Sequence, residues 1–246
     1  MCMATTGSNF DWYSLDRKTL ATFLCLVAPK VVNQQITPDK FHKIISKHLK
    51  SYIPLRISKK VDPTIDKNMI LIGGSYYSWY DEQHKTSIEI VMVYNPADQF
   101  LKINNARFWR ICCGFADTLL HELIHMRQFR RRDFKYLPEY ASKAEKSAQR
   151  EEQGYLGGSD EIDAYGFNIA CELLDKYDNN VTQVIKHLDI NQKGVRRRFD
   201  SWRMYLKAFN YDHDHVIIKR LKKKIIRHLP NAVIGKPYRN RDWISY

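Results

Sequence analysis

A stretch from Phe115 to Phe134 without glycine or proline constrains this chain more than any other part of its sequence. It predicts one long helix, because apolar residues recur around it at steps of three and four and mark a face for the core: Cys112, Ala116, Leu119, Leu123 and Met126. His121 and His125 are four residues apart, so they share one face of this helix. Two imidazoles in that arrangement can reach a single metal ion.

Glu122 completes the pattern His121-Glu122-x-x-His125. A carboxylate at this position is rotated off the histidine face but stays beside the ion, where it can take a proton from a metal-bound water. We therefore predict a zinc site with Glu122 as its base. The alternative is an amphipathic helix that carries two ordinary histidines.

A catalytic zinc needs a third protein ligand and one position left open for water. Residues 157–174 supply the candidate, since two glycines break the chain and a helical pattern follows them. We predict Glu161 as the ligand, because it falls in the first helical turn, where the helix dipole favours a carboxylate. The alternatives are Asp160 or Asp163 as the ligand, Asp163 as an acceptor for an imidazole N–H, and acids that only cap the helix.

Together, His121-Glu122-x-x-His125 and Glu161-x-x-Ala164 resemble the gluzincin branch of the zincin metallopeptidases. They are similar to the small intracellular peptidases of the ImmA/IrrE type, and the chain also resembles metallopeptidases predicted in phages. The resemblance covers residues 87–174, which is under half of the chain. It implies a zincin-like fold, a zinc ion held by two histidines and one glutamate, a glutamate base, and hydrolysis of a peptide bond.

Residues 69–80 and 87–94 are rich in β-forming side chains and predict two strands joined by a loop at 81–85. By the same resemblance, the strand before the metal helix is expected to be a sheet edge that pairs with an extended substrate. The alternative, which is compatible with it, is an ordinary meander that packs on the helix. The expected fold is thus in the α+β class and zincin-like, with a small β-sheet packed on the metal helix and a mostly helical, basic C-terminal half.

Three further segments have helix signals. Residues 15–27 predict an amphipathic helix, and Thr37 followed by Pro38 predicts the start of another. The charged segment 127–153 predicts the end of the metal helix, a turn near residues 137–138 and a surface helix, acting as a lid or as a passive connection.

At 246 residues, 44% of them hydrophobic, the chain can form one substantial domain, or one domain with an appendage. We predict a zincin-like domain at residues 1–192 and a basic helical extension at 193–246. The five cysteines include no C-x-x-C pair, which argues against a zinc ribbon or a disulfide scaffold. Free thiols indicate a reducing compartment, so a cytoplasmic location is expected, in a host cytoplasm or a virion if a phage encodes the chain. No apolar run approaches the roughly 20 residues of a transmembrane helix.

Charge is concentrated near the C-terminus. Residues 193–246 contain fifteen lysines and arginines against four aspartates, a net charge of +11 out of +13 for the whole chain. Much of it falls on a predicted helix at residues 216–229. Such a surface favours a polyanionic partner, either nucleic acid or an acidic protein, over a membrane surface, and the alternative is a solvated basic face.

Two residues are candidates for stabilising negative charge on a substrate carbonyl oxygen. Tyr155 is the nearest phenol that precedes Glu161 in the sequence, and His187 lies farther along. With Glu122 and Tyr155 as catalytic residues, the hypothesis is a zinc peptidase that acts on a protein or peptide substrate. The alternatives are a polyanion-binding or virion-associated protein that retains a structural metal site, and a metal hydrolase that acts on a non-peptide amide.

Overall fold

The computed structural model describes residues 16–50, 55–190, 193 and 200–232. Its architecture is α+β and mostly helical, with one small mixed sheet, in agreement with the class expected from the sequence. The described residues fall into two compact units. The first contains residues 16–50, 55–75 and 88–118, and the second contains 76–87, 119–190, 193 and 200–232.

The first unit begins with helices α1 (Arg17–Cys25), α2 (Ala28–Val31) and α3 (Pro38–Lys50). The predicted helix at 15–27 is therefore shorter, and it begins where Asp16 accepts a hydrogen bond from the backbone N–H of Thr19. The predicted start of α3 is confirmed, since the Thr37 hydroxyl accepts from the backbone N–H of Lys40 at 3.2 Å.

The sheet consists of β1 (Arg56–Val61), β2 (Ile70–Tyr76) and β3 (Ile88–Tyr94), in the order β1-β3-β2. β3 runs parallel to β1, with Ile57 opposite Ile90. Alternate residues of β3 are buried, which is the period of a strand with one face on the core: Ile88, Ile90, Met92 and Tyr94. The side chain of Ile72 on β2 packs over Gly114 of the long helix α5 (Asn105–Arg131).

Three details of the predicted sheet were wrong. β3, the strand before the metal helix, is central rather than an edge, and β1 was not predicted. The predicted strand at 69–80 stops at Tyr76 and is followed by a short helix, α4 (Ser78–Glu82), which occupies part of the expected loop. α4 forms because the backbone carbonyl of Tyr77 accepts from the N–H groups of Tyr80 and Asp81.

The second unit is helical. After α4 and residues 119–131 of α5, it contains α6 (Ser147–Leu156), α7 (Ser159–Lys176), α8 (Val181–Leu188), α9 (Ser201–Ala208) and α10 (Val216–Ala232). Residues 132–146 form neither helix nor strand, and α6 is the helix predicted to follow them. α9 and α10, assigned from the sequence to an extension beginning at residue 193, both contact α7 within this unit.

α7 is buried along most of its length and approaches α10 closely at Gly166. A Cβ atom on Gly166 would stand 3.0 Å from the Cβ of Lys224. The absence of a side chain therefore lets the two helix backbones come together, and it draws Lys224 against α7. Within the described ranges, no helix has the length and apolar character needed to cross a membrane.

Candidate metal centre

His121 and His125 lie one turn apart on α5, in the second unit, and both are buried, with 6% and 8% of their surface exposed. Because residues four apart share a helix face, the two imidazoles point the same way. Their Nε2 atoms are 3.1 Å apart. The same nitrogen of each ring is thus directed at one point.

Glu161 brings a carboxylate to that point from the first turn of α7. Its Oε1 lies 3.2 Å from Nε2 of His125, and its Oε2 lies 3.4 Å from Nε2 of His121. The glycine pair that separates α6 from α7 makes this approach possible, since Gly157 ends one helix and Gly158 precedes the other. The helix dipole further favours a negative charge at the start of α7.

The triad of His121, His125 and Glu161 could hold a metal ion, because its ligand atoms all lie within 4.8 Å of one another. The contact of the buried Oε2 of Glu161 with Nε2 of His121 is long for a hydrogen bond, at 3.4 Å, and Oε2 makes no other hydrogen bond to a described residue. Buried carboxylate oxygens normally have a hydrogen-bonding partner. A cation at the centre of the triad would satisfy this oxygen.

Without a cation, the triad carries an internal ion pair. Burial alone would raise the pKa of Glu161, but hydrogen bonds from His121 and His125 outweigh it and lower the pKa to about 2. Burial acts in the opposite direction on His125, yet its hydrogen bond to Glu161 and the charge of that carboxylate raise the pKa to about 9. Burial lowers the pKa of His121. Because metal ligands must be deprotonated, binding of a metal ion to the triad would compete with protonation of His125.

Glu122 is buried beside the triad but is not part of it. Its carboxylate accepts a backbone N–H from Tyr76, at the end of β2. Burial raises the pKa of Glu122 to about 7, although the charge of His125 opposes the shift. A carboxyl group with a pKa near neutrality can both accept and release a proton, as a general base must.

Gln128 contacts His125 at Nδ1, the ring nitrogen that is not directed at the triad. Its Oε1 lies 3.0 Å from Nδ1 of His125. The amide nitrogen of Gln128 donates to the backbone carbonyl of Asp160 at 3.1 Å and approaches Oδ2 of Asp163 at 3.4 Å. Outer contacts of this kind hold ligand rings in place in metal sites.

Asp160 and Asp163, the two alternative ligands, are both paired with cations of the protein. Asp160 binds Arg132 in a bidentate ion pair, with distances of 2.6 and 2.8 Å. Asp163 accepts from Lys224 at 2.7 Å and from Nε2 of His228 at 3.1 Å. Asp163 is connected to the imidazole of His125 through Gln128.

Asn168 lies against the outer side of His121, two turns after Glu161 on α7. Its Nδ2 is 3.4 Å from Nδ1 of His121, and its Oδ1 makes no hydrogen bond to any described residue. Amide oxygen and nitrogen are assigned from the hydrogen-bond network. Exchanging them would place Oδ1 of Asn168 as an acceptor for an N–H on Nδ1 of His121.

Tyr155 on α6 brings its phenol group to the triad. Burial of this group, followed by the charge of Glu161 and hydrogen bonds with Glu161 and Tyr165, raises the pKa of Tyr155 well above its usual value. The residue as a whole stays 55% exposed, so its ring faces solvent as well as the triad. Tyr165, which packs edge-on against His121 with ring centroids 4.6 Å apart, was not expected from the sequence.

His187, the alternative to Tyr155, belongs to α8 and contacts the C-terminal end of α7, away from Glu161. Its Nδ1 is 2.8 Å from the hydroxyl of Tyr177, the residue that caps that helix. At 1.5 Å per residue, Tyr177 is about 24 Å along the helix from Glu161. The structure thus brings Tyr155, and not His187, to the triad.

Sequence reasoning missed Gln128 and Asn168, although one signal was present for the first. Gln128 follows His125 by three residues on the same helix, which places it on the histidine face. No such local rule connects Asn168 with His121. Comparisons of the chain with protein-family models, with curated proteins and with solved structures found no match.

Proposed function

We propose that this protein is a zinc-dependent metallopeptidase of zincin-like architecture, with its zinc held by His121, His125 and Glu161. The observation that carries the proposal is the number and arrangement of ligands. Within the part of the chain that the structure describes, the metal-binding group has three ligand atoms, whereas a structural zinc site usually has four protein ligands. Three ligands leave one coordination position for water, which is typical of catalytic sites.

The spacing of the ligand atoms supports zinc as the metal. Ligand atoms at about 2.0–2.1 Å from a tetrahedral zinc ion lie about 3.3–3.4 Å from each other. The Nε2 atoms of His121 and His125 are 3.1 Å apart, and Oε1 of Glu161 lies 3.2 Å from Nε2 of His125, close to this spacing. The 3.4 Å contact to Nε2 of His121 is made by the other carboxylate oxygen, Oε2. Two neutral imidazoles and one carboxylate also form a donor set that zinc accepts readily.

When bound, zinc would act as a Lewis acid and make a water molecule more acidic. Glu122 then accepts the proton of the attacking water and transfers it to the amide nitrogen that leaves. Its burial supports this role, because a carboxylate away from bulk water is a stronger base. Tyr155 donates a hydrogen bond from its phenol to the carbonyl oxygen of the substrate as negative charge develops there. Its raised pKa keeps the phenol protonated at neutral pH.

The test compares the wild-type chain with Glu122→Gln, a substitution that keeps size and polarity but removes the base. Cleavage of a broad peptide library by both zinc-loaded proteins is measured together with their zinc content. Turnover should fall at least about 100-fold in the variant, as expected for loss of a general base, while zinc content stays the same.

The exposed Glu82→Gln is the matched control and should be fully active. Equal turnover of Glu122→Gln and wild type would show that Glu122 is not the base. A zinc-loaded wild-type chain that cleaves no peptide would overturn peptide hydrolysis, and it would favour a non-peptide amide substrate or a structural metal site.

A further inference from the structure

The amide group of Gln128 has an orientation that its surroundings determine. Its nitrogen faces the backbone carbonyl of Asp160 and the carboxylate of Asp163, at 3.1 and 3.4 Å. Both of these groups are acceptors only, provided that Asp163 is ionised. The amide N–H groups must therefore point toward α7, and the amide oxygen must face His125.

The orientation of this amide selects the proton position on His125. Oε1 of Gln128, 3.0 Å from Nδ1, can only accept a hydrogen bond, so the neutral ring must carry its proton on Nδ1. Nε2 then presents a lone pair toward the triad, as a metal ligand requires. A reversed amide would place an N–H against Nδ1, move the ring proton to Nε2, and prevent coordination.

Asp163 is kept in place by α10. Lys224 and His228 donate to the same oxygen, Oδ1, at 2.7 and 3.1 Å, which leaves Oδ2 for Gln128. The close approach of α7 and α10 at Gly166 brings Lys224 within reach of this carboxylate. The result is a continuous chain of contacts from the basic helix to His125.

We propose that Gln128 is a positioning residue for the metal ligand His125, and that Asp163, held by Lys224 and His228, fixes the orientation of the Gln128 amide. This inference rests on the proposed metal site and adds to it a role for the basic helix. Part of the positive charge on α10 thereby serves the metal centre from within the fold, rather than an external polyanion.

His121 provides a contrast within the same site. The amide of Asn168 beside it has an oxygen without a hydrogen bond among the described residues, so no pair of acceptors determines its direction. Of the two imidazoles, His125 thus has the more firmly determined ring proton. Loss of Gln128 should therefore weaken metal binding more than loss of the Asn168 amide.

The test measures metal affinity rather than catalysis. Metal-free full-length protein is titrated with Co²⁺, followed by its visible absorption, and with Zn²⁺ in competition with a chelating dye. Gln128→Met, which keeps length but removes both polar atoms, should weaken binding of both ions by about 10–100-fold, the range for loss of an outer contact to a ligand. It should also shift the Co²⁺ absorption bands, because the His125 ring is no longer held.

A double-mutant cycle tests whether Asp163 acts through Gln128. Asp163→Asn should weaken Zn²⁺ binding at least about fivefold in the wild-type background and less than about twofold when combined with Gln128→Met. Lys224→Met should likewise weaken Zn²⁺ binding in the wild-type background and have a smaller effect when combined with Gln128→Met. Lys223→Met, at the exposed neighbouring position on α10, is the matched control and should leave affinity unchanged.

The outcomes separate this inference from the proposed function. A wild-type chain that binds neither ion would overturn both. Tight binding by the wild type with equal affinity in Gln128→Met would overturn the positioning role alone. An Asp163→Asn effect of the same size in both backgrounds would show that Asp163 does not act through Gln128. The last comparison is between Asn168→Leu and Gln128→Met. A larger loss of metal affinity in Asn168→Leu would contradict the inference that Gln128 matters more than Asn168 for metal binding.

Discussion

Arg130 and Asp81 form a bidentate ion pair, in which Nε of Arg130 donates to Oδ2 of Asp81 at 2.7 Å and Nη2 donates to Oδ1 at 2.6 Å. The hydroxyl of Tyr76 donates to the same carboxylate at 2.9 Å. Asp81 is almost fully buried, whereas part of Arg130 is exposed. The pair joins α4 to the end of the helix that carries both histidines, so it should stabilise that end of the metal centre.

Substitution of Arg130 should destabilise the fold. Arg130→Met would leave the Asp81 carboxylate with the Tyr76 hydroxyl but without its countercharge. We expect the free energy of unfolding to fall by about 1–3 kcal/mol. The loss should be smaller than for a fully buried pair, because water already reaches part of the Arg130 side chain. Urea denaturation followed by circular dichroism measures it. Arg110→Met, the same substitution at an exposed position on the same helix, should change stability by less than about 0.5 kcal/mol.

Metal binding should stabilise the chain through the triad. A ligand at 100 times its dissociation constant adds about 2.7 kcal/mol to the free energy of unfolding. We expect added Zn²⁺ to raise the melting temperature of the wild type and a chelator to reverse the rise. Differential scanning fluorimetry of His121→Ala and His125→Ala should show no such response.

His187→Ala provides the control for these two variants, because it removes a buried histidine that contacts Tyr177 instead of the triad. Its melting temperature should be lower than that of the wild type, but Zn²⁺ should still raise it. A Zn²⁺ response that survives in both His121→Ala and His125→Ala would contradict the assigned ligands.

Removal of the Tyr155 hydroxyl should affect catalysis more than metal binding. If the phenol stabilises charge on the carbonyl oxygen, Tyr155→Phe should lower kcat by about 100–1000-fold, as for other donors of this kind. Zn²⁺ affinity should change by less than about threefold, since Tyr155 is not a ligand. Tyr211→Phe, the same substitution in the turn after α9, should be fully active. If Tyr155→Phe loses Zn²⁺ affinity, and this loss accounts for its whole loss of activity, then Tyr155 instead positions the ligand Glu161.

The basic helix allows polyanion binding to be tested apart from the metal centre. Lys222 and Lys224 pair with Asp189 and Asp163, whereas Lys223 and Arg227 are exposed. If residues 193–246 bind nucleic acid, Lys223→Glu with Arg227→Glu should weaken binding to all oligonucleotides alike. The slope of the logarithm of the binding constant against the logarithm of the salt concentration should also become less negative, by about 0.9 for each lost phosphate contact to duplex DNA.

Fluorescence anisotropy with labelled single- and double-stranded oligonucleotides measures this binding, and Zn²⁺ affinity should be the same with and without the two substitutions. If the wild-type chain binds neither oligonucleotide at low salt, the nucleic-acid expectation is wrong, and an acidic protein becomes the better candidate partner for the basic segment.

The parts of the structure that local rules govern could be predicted from the sequence. His121 and His125 share a face because four residues make about one helical turn. The glycine pair before α7 is where the chain breaks, and it places Glu161 in a first turn. That Glu161 meets the two histidines was a prediction about tertiary structure, based on the need of a catalytic zinc for a third ligand and on the place of Glu161 in a first helical turn.

The parts that depend on distant contacts could not be predicted in this way. β1 has one buried residue, so its sequence lacks the alternation that identifies a half-buried strand, and it exists because β3 pairs with it. The sequence of α10 gives no sign that Lys224 faces a carboxylate, since Lys222, Lys223 and Lys224 are identical in type. Their different roles follow from the position of each around the helix relative to α7.

Asp163 and Lys224 are 61 residues apart in the sequence, so during synthesis Asp163 is present before its partner on α10. A chain synthesised from its N-terminus completes both ligand helices before α10 leaves the ribosome. His121, His125 and Glu161 can then meet while Asp163 still lacks Lys224 and His228. An ion captured at that stage would be held by a histidine whose supporting amide has the carbonyl of Asp160 as an acceptor but not yet a fixed Asp163 carboxylate. We therefore expect nascent chains that end before α10 to exchange zinc faster than the released protein.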